Sequence, residues 1–98
     1  MRFEWDERKR LSNMRKHGVD FYDAADIFEG GVVEMKDDRR NYGEVRMNAI
    51  GEYQGRVFHV VYTWRGENCR LISARRANTR DQRTYYDRYP ETGEENEG

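Results

Sequence analysis

The residues of this chain best suited to catalysis and ligand binding are its two histidines and its unusually numerous arginines. His17 stands between Lys16 and Gly18 at the end of a basic segment, 4–19. An imidazole ordinarily titrates near pH 6.5, so it both accepts and donates protons near neutrality. The positively charged residues around His17 would attract a polyanion, on which the imidazole could then transfer protons. The same position is also explained as a helix C-cap, in which the ring faces the last carbonyls and Gly18 makes the left-handed turn.

Arginine outnumbers lysine by fifteen to three, although the net charge is only -1. The charges are segregated: residues 1–19 carry +3, 20–38 carry -6, 39–88 carry +6 and 89–98 carry -4. Because the planar guanidinium binds phosphate oxygens two at a time, this bias favours phosphate recognition. A solvated, arginine-rich surface is the plainer explanation of the same pattern.

Histidine and arginine together are sufficient for one reaction that needs no metal. The 2′-hydroxyl of RNA can attack its own adjacent phosphate, so the protein needs a proton carrier and donors for the developing charge. His17 is the proton-carrier candidate. We interpret His59, which alternates with Val57 and Val61, as a hydrogen-bonded core residue.

Other kinds of site have little support in the sequence. The spacing of His17, His59 and Cys69 fits no zinc pattern, and there is no phosphate-binding loop or dinucleotide fingerprint. We therefore expect no metal and no cofactor. A lone Cys69 beside apolar residues predicts a buried, inert thiol and a cytoplasmic protein. No apolar run reaches the roughly 18 residues of a membrane span, so no membrane contact is expected.

The apolar spacing predicts three helices. Asp6 caps the first helix and Gly18 ends it. A second, acidic helix over 20–28 buries residues at the i, i+3, i+4, i+7 spacing. Thr79 opens the last helix as its N-cap, in a capping box completed by Gln82, and Pro90 stops it.

Between the second and last helices the apolar period changes to two, which predicts strands. In one of them this alternation puts Arg46 and Asn48 on the face opposite Val45 and Met47. The outline is an α+β fold, in which two N-terminal helices and a C-terminal helix pack on an antiparallel sheet of about four strands. It forms a single domain over 1–89, followed by an acidic disordered tail over 90–98. The strands are predicted at 32–35, 45–49, 56–64 and 69–75, with a short edge strand at 2–5 and a loop at 51–55.

Several short motifs together resemble one known family, the BrnT-type toxins, from about Phe3 to Tyr86. The matching pieces are Phe3-Glu4-Trp5-Asp6, Lys9, Asn13, Lys16-His17-Gly18-Val19-x-Phe21, Arg46, Ile50-Gly51, Val61-Tyr62-Thr63-x-Arg65 and Arg70-x-Ile72-Ser73-Ala74-Arg75-x-Ala77. The resemblance implies a RelE-like fold and the toxin of a type II toxin–antitoxin system. Such a toxin cuts RNA without a known metal and slows growth by blocking protein synthesis. It also implies a hetero-oligomer with a DNA-binding, BrnA-like antitoxin, through which alone the complex contacts operator DNA.

Combined with the resemblance, the residues predict a metal-independent endoribonuclease. His17 shuttles the proton with electrostatic help from Lys16, while Asp6 and Asn13 are caps or scaffolding. The acidic helix lies away from the substrate, and the antitoxin covers the basic face. The phosphate-binding and catalytic arginines are Arg46, Arg65 and Arg75, and the RNA-binding residues are Lys9, Arg76 and Tyr86.

Two alternatives remain open at this point. Instead of an enzyme, the same sequence fits a non-catalytic module that binds nucleic acid through its arginines, or an antitoxin-like interaction protein. Salt-sensitive binding is common to the enzyme and the binding module. Only the enzyme creates new RNA ends.

Overall fold

The computed structural model describes residues 1–39 and 41–90. Residues 91–98, most of the predicted acidic tail, lie outside this range. The elements in chain order are β1 (Arg2–Glu4), α1 (Glu7–His17), α2 (Phe21–Ala24) continued by a 3-10 helix (Ala25–Glu29), β2 (Val32–Lys36), β3 (Met47–Tyr53), β4 (Arg56–Arg65), β5 (Asn68–Arg76) and α3 (Thr79–Arg88).

The strands form one mixed sheet in the order β1-β5-β4-β3-β2. Strands β2 to β5 pair antiparallel, as predicted. The prediction of about four strands, all antiparallel, is wrong in strand count and in direction. The edge strand predicted at 2–5 is present as β1, but it joins the sheet as a fifth strand and runs parallel to β5. Two parallel neighbours need a long connection rather than a hairpin, and here most of the chain lies between them. A three-residue pattern at one end of the chain carries no information about that distant partner.

Gly51 lies inside β3, not in the predicted loop. The loop is reduced to a tight turn at Gln54 and Gly55, both of which have positive φ. A Cβ at Gly51 would lie 2.9 Å from the Cβ of Ile27 and 2.9 Å from a methyl of Val32. The missing side chain therefore allows the 3-10 helix to pack directly on the strand.

The predicted limits of the first helix are confirmed. Asp6 Oδ1 accepts a hydrogen bond from the Arg8 N–H at 2.8 Å, and Gly18 takes the left-handed conformation with φ of 69°. Its N–H donates to the carbonyl of Met14 at 2.9 Å. The first helix therefore ends at His17, whose side chain is exposed.

The other two helices differ from the prediction in detail. After one α-helical turn capped by Asp20, the second helix tightens into a 3-10 helix. The last helix is capped by Asn78 rather than Thr79, because Asn78 Oδ1 accepts from the Asp81 N–H at 2.8 Å. Gln82 does not complete a capping box with Thr79; its side chain donates to the Ala77 carbonyl at 3.1 Å.

Each face of the sheet has its own apolar core. The larger core, which includes Phe58, Val60 and Tyr62, packs against α2 and the 3-10 helix. Cys69 lies in it, fully buried, and burial raises the pKa of its thiol to about 12. The predicted burial of this thiol is thereby confirmed, and its raised pKa disfavours the reactive thiolate. The smaller core lies on the other face under α3 and consists of Ile50, Val57, Ala77 and Tyr85.

Asn13 fixes α1 against the sheet. Strand β1 pairs only with Asn68 to Arg70 of β5. Further along the same strand, the Asn13 side chain donates to the Ala74 carbonyl at 2.7 Å and accepts from the Ala74 N–H at 3.0 Å. Its amide thus replaces a neighbouring strand, and the predicted scaffolding role is confirmed. The end of α1 is held beside β5.

Candidate functional site

A groove of about 630 Å³ opens on the sheet face that carries α3. The sheet forms its floor, α3 one wall, and the end of α1 and the segment after β2 form its rim. The acidic α2 lies with the larger core, on the opposite face. The lining residues are His17, Met35, Arg39, Asn48, Ile50, His59, Val61, Ser73, Arg75, Asn78, Arg80, Asp81 and Thr84.

Four of these residues form a connected polar cluster. The Nε2 atom of His59 lies 2.9 Å from Asn48 Oδ1, and its Nδ1 atom lies 3.0 Å from Asp81 Oδ2. Arg75 bridges the pair, with Nη2 at 2.9 Å from His59 Nδ1 and Nη1 at 3.0 Å from Asp81 Oδ2. The His59 and Asp81 side chains are only 14% and 15% exposed, whereas Arg75 is 38% exposed. The guanidinium is therefore the member of the cluster most open to a ligand.

Asp81 is the carboxylate that neutralises part of this positive charge. Burial raises the pKa of its carboxyl, but the hydrogen bonds and charges of His59 and Arg75 outweigh burial and hold the pKa below its ordinary value. Among the described lining residues, Asp81 is the single acid beside three arginines. The groove therefore favours an anionic ligand.

A second cation at the rim is held in place by a carboxylate of its own. Arg39 binds Asp37 through Nε and Nη2, both at 2.9 Å. These hydrogen bonds keep the pKa of the Asp37 carboxyl far below its ordinary value, although burial acts in the opposite direction. The Tyr42 hydroxyl donates to the same carboxylate at 3.1 Å. Arg39 thus reaches the groove from the segment after β2, held by its contacts with Asp37.

His17 lies where this groove meets a smaller one. The second groove, of about 210 Å³, is lined by Lys9, Ser12, Asn13, Lys16, His17, Ile72 and Ser73. His17 and Ser73 belong to both. Within the described residues no hydrogen bond occupies the His17 ring. The capping turn is made by Gly18, so the cap and the exposed imidazole coexist.

Arg46 and Arg65, two of the three predicted phosphate-binding arginines, lie elsewhere. Arg46 contacts Glu44 at 3.3 Å and stacks 4.1 Å above the Tyr42 ring, and Arg65 approaches the same carboxylate at 3.9 Å. On β4, Arg65 is six residues from His59, or about 20 Å along the strand. Only Arg75 of the three lines the groove.

Two of the three predicted RNA-binding residues also lie outside the groove lining. Arg76 follows Arg75 in β5 and so faces the opposite side of the sheet. Tyr86 packs beside the smaller core, with its ring 5.2 Å from that of Tyr85. Lys9 lines the second groove as an exposed cation.

The sequence-based interpretation of His59 was incomplete. Of the other cluster members, Arg75 was predicted as a site residue, whereas Asn48 and Asp81 were not. His59 is hydrogen-bonded as expected, but it faces the groove rather than the core. The period of two already put Asn48 on the polar face of β3. What was missing was the pairing of β3, β4 and β5, which aligns Ile50, His59 and Arg75 across the sheet. Asp81 had no separate signal, because its role depends on where α3 lies.

Fold and groove together define a small single-sheet α+β domain with a cationic, histidine-containing groove suited to a polyanion and to proton transfer. The sequence model of the family described as ribonuclease toxin, BrnT, of type II toxin–antitoxin system matches residues 5–81, and the chain belongs to this family. The predicted family is thus confirmed. The matched range contains every member of the His59 cluster. A search of curated proteins found no match.

Family membership has a direct consequence for partners. A type II toxin is paired with a protein antitoxin, so such a partner is implied for this chain. Within residues 1–39 and 41–90, no helix is long and apolar enough to cross a membrane. The same residues contain no group of three or more His, Cys, Asp or Glu side chains placed to hold a metal ion.

Proposed function

We propose that this toxin is an endoribonuclease that cleaves RNA without a metal and stops growth by blocking protein synthesis. Its ribonuclease family supports the reaction class. The observation that carries the proposal for this chain is the exposed imidazole of His17, which lies where two cationic grooves meet. The larger of these grooves also contains Arg75. A proton carrier and a phosphate-binding fork thus share one surface.

His17 is the proton carrier in this mechanism. The RNA 2′-hydroxyl loses its proton as it attacks the adjacent phosphorus, and the leaving 5′-oxygen gains one. An exposed ring on the rim of the groove is accessible to a substrate hydroxyl, as general acid–base catalysis requires. Lys16, the preceding residue in the last turn of α1, adds positive charge beside it.

Arg75 binds the scissile phosphate and stabilises the charge that develops on it. Asp81 anchors one edge of its guanidinium at 3.0 Å, so the fork is oriented before the substrate arrives. Donors held in advance stabilise a transition state more than donors that must reorganise. Arg39 and Arg80, which also line the groove, add to the positive field.

Lys9 and Lys16 bind neighbouring phosphates in the second groove. Lysine acts there as a point charge that follows the backbone rather than the base sequence. Arg46, Arg65, Arg76 and Tyr86 have no part in this mechanism, because none lines either groove.

The test of the proposed activity is the incubation of pure protein with RNA in the presence of a chelator. New ends carrying a 2′,3′-cyclic phosphate are the expected product of attack by the 2′-hydroxyl. Intact RNA with normal binding would instead favour the non-catalytic module. Inducible expression, followed by growth and RNA integrity together, tests the toxin role in cells.

The antitoxin is proposed to be a DNA-binding, BrnA-like protein that covers the cationic groove. Charge supports this arrangement, since the groove lining carries three arginines against one carboxylate. Operator DNA is then contacted only through the antitoxin. Co-expression with the neighbouring reading frame should restore growth, and excess antitoxin should displace RNA from the purified toxin.

A further inference from the structure

The Nδ1 atom of His59 has two neighbours, one of which needs a hydrogen-bond donor there and the other an acceptor. Its Nδ1 atom lies 3.0 Å from Asp81 Oδ2 and 2.9 Å from Arg75 Nη2. A carboxylate only accepts hydrogen bonds and a guanidinium only donates them. Nδ1 therefore cannot satisfy both neighbours at once, and its choice depends on whether it carries a proton.

Two states of the cluster follow from this conflict. When His59 is neutral, with its proton on Nε2 facing Asn48 Oδ1, Nδ1 accepts from Arg75 Nη2. When the ring is protonated, Nδ1–H donates to Asp81, and the Nη2–H of Arg75 faces another N–H. The contact of 3.0 Å between Arg75 Nη1 and Asp81 is compatible with both states. Protonation therefore releases one edge of the guanidinium and leaves the other anchored.

We propose that His59 is a positioning residue whose protonation frees the Nη2 edge of Arg75 for an RNA phosphate, so that RNA binds with uptake of a proton. The inference rests on the proposed function, because it takes the RNA backbone as the ligand of the groove. A neutral ring competes with the phosphate for the same donor, whereas a protonated ring does not. By linkage, RNA binding and protonation of His59 favour each other.

The charges around His59 support this coupling. The His59 and Asp81 side chains are mostly buried, whereas the Arg75 guanidinium is more exposed in the groove. An incoming phosphate therefore meets Arg75 before it meets the ring. Asp81 is the only carboxylate in the described lining, and it accepts the hydrogen bond that a protonated His59 donates from Nδ1. The charged or titratable groups facing His59 are Asp81 and Arg80 on α3, Arg75 on β5, Arg39 after β2 and His17 on α1, with Glu52 further along β3.

Calorimetry with an RNA methylated at every 2′-hydroxyl tests the inference, because such RNA has no nucleophile and is not cleaved. Titrations at about pH 6.5 in buffers of different ionisation enthalpy count the protons taken up. We expect the wild type to take up as much as about one proton per RNA bound. His59→Gln, which cannot be protonated, should bind without this uptake. Arg15→Ala, outside both groove linings, is the matched control and should retain it.

Equal uptake by His59→Gln and the wild type would overturn the inference, as would uptake that disappears only in His17→Gln, or a wild type that does not bind the RNA. Should His59→Gln fail to fold, NMR of the wild type decides. The chain has only two histidines, and His17→Gln identifies which resonance belongs to each. Added RNA must increase the protonated fraction of His59 at constant pH, and an unchanged fraction contradicts the coupling.

The proposed function can fail separately. If the protein binds methylated RNA with proton uptake at His59 but leaves unmodified RNA intact, the proposed ribonuclease activity is wrong and the positioning role stands. Cleavage without any His59-dependent uptake would leave the enzyme in place and remove only the positioning role.

Discussion

The side chain of Asn13 hydrogen-bonds both backbone polar groups of Ala74, a residue 61 positions later in the chain. A third hydrogen bond, of 3.0 Å, joins the Asn13 amide to the Val19 carbonyl. All three are buried. One amide thus ties α1, the segment after it and the uncovered part of β5 into a single unit, and it sets the position of His17 at the groove.

Asn13→Ala should lower the free energy of unfolding by about 2–4 kcal/mol, because it leaves buried backbone groups of Ala74 and Val19 without partners. Urea denaturation measures the change. Lys9→Ala on the same helix is the control, since Lys9 is exposed and should change stability by no more than about 0.5 kcal/mol. Equal stabilities of the two variants would mean that Asn13 does not fasten the helix.

Gly51→Ala should destabilise the protein by about 1–3 kcal/mol through overpacking. The added methyl would lie 2.9 Å from atoms of both Ile27 and Val32, in the larger core. Gly30→Ala is a matched control, because a Cβ there has no atom within 4 Å and the backbone φ is -111°. Thermal or urea unfolding of the two variants distinguishes the cost of close packing from the general effect of replacing glycine. A Gly51→Ala variant as stable as the wild type would contradict the packing described.

His17→Ala should reduce RNA cleavage by about 100-fold to 10,000-fold, the contribution usual for a general acid or base. Its stability should be nearly unchanged, because the side chain is exposed and the turn is made by Gly18. Arg15→Ala, in the same last turn but outside both groove linings, is the control. Initial rates on one RNA measure the difference, and cleavage by His17→Ala at the parental rate excludes the proton-carrier role.

Arg75→Lys should lower kcat/KM for RNA by about 100-fold, as expected for removal of a donor to the transition state. A lysine keeps the charge, but its single amine cannot hold Asp81 with one edge and present another to a phosphate. Arg76→Lys, the next residue and on the opposite face of β5, should behave as the wild type. Near wild-type activity of Arg75→Lys would point to charge alone rather than to the oriented fork, and similar losses in both variants would mean that the effect is not specific to Arg75.

Acid should destabilise the protein through Asp37. The pKa of its carboxyl is depressed in the folded state, so its contribution to stability is present above the ordinary value of 3.8 and is lost as pH falls below it. Urea unfolding between about pH 5 and pH 2 should therefore show a smaller pH dependence for Asp37→Asn than for the wild type. Asp38→Asn, at an exposed neighbouring carboxylate, is the control and should keep the full dependence.

Local chemistry explains which features were predictable from the sequence. A cap depends on one side chain and the backbone beside it, so Asp6 and Gly18 marked α1 correctly. The period of two marked β2 to β5 and placed Asn48 on the polar face of its strand. The motifs around His17 and Arg75 indicated the BrnT family without any structure.

The tertiary structure decided which of those side chains meet. Strand order and register bring Asn48, His59 and Arg75 together. Arg65 lies about 20 Å along β4 from His59, and Arg46 pairs with Glu44 outside the groove lining. The parallel pairing of β1 with β5 and the position of α3, which supplies Asp81, are contacts between residues far apart in the chain. Local periodicity records the face on which a side chain lies but not the strand or helix that lies next to it, because that choice is made by packing across the whole domain.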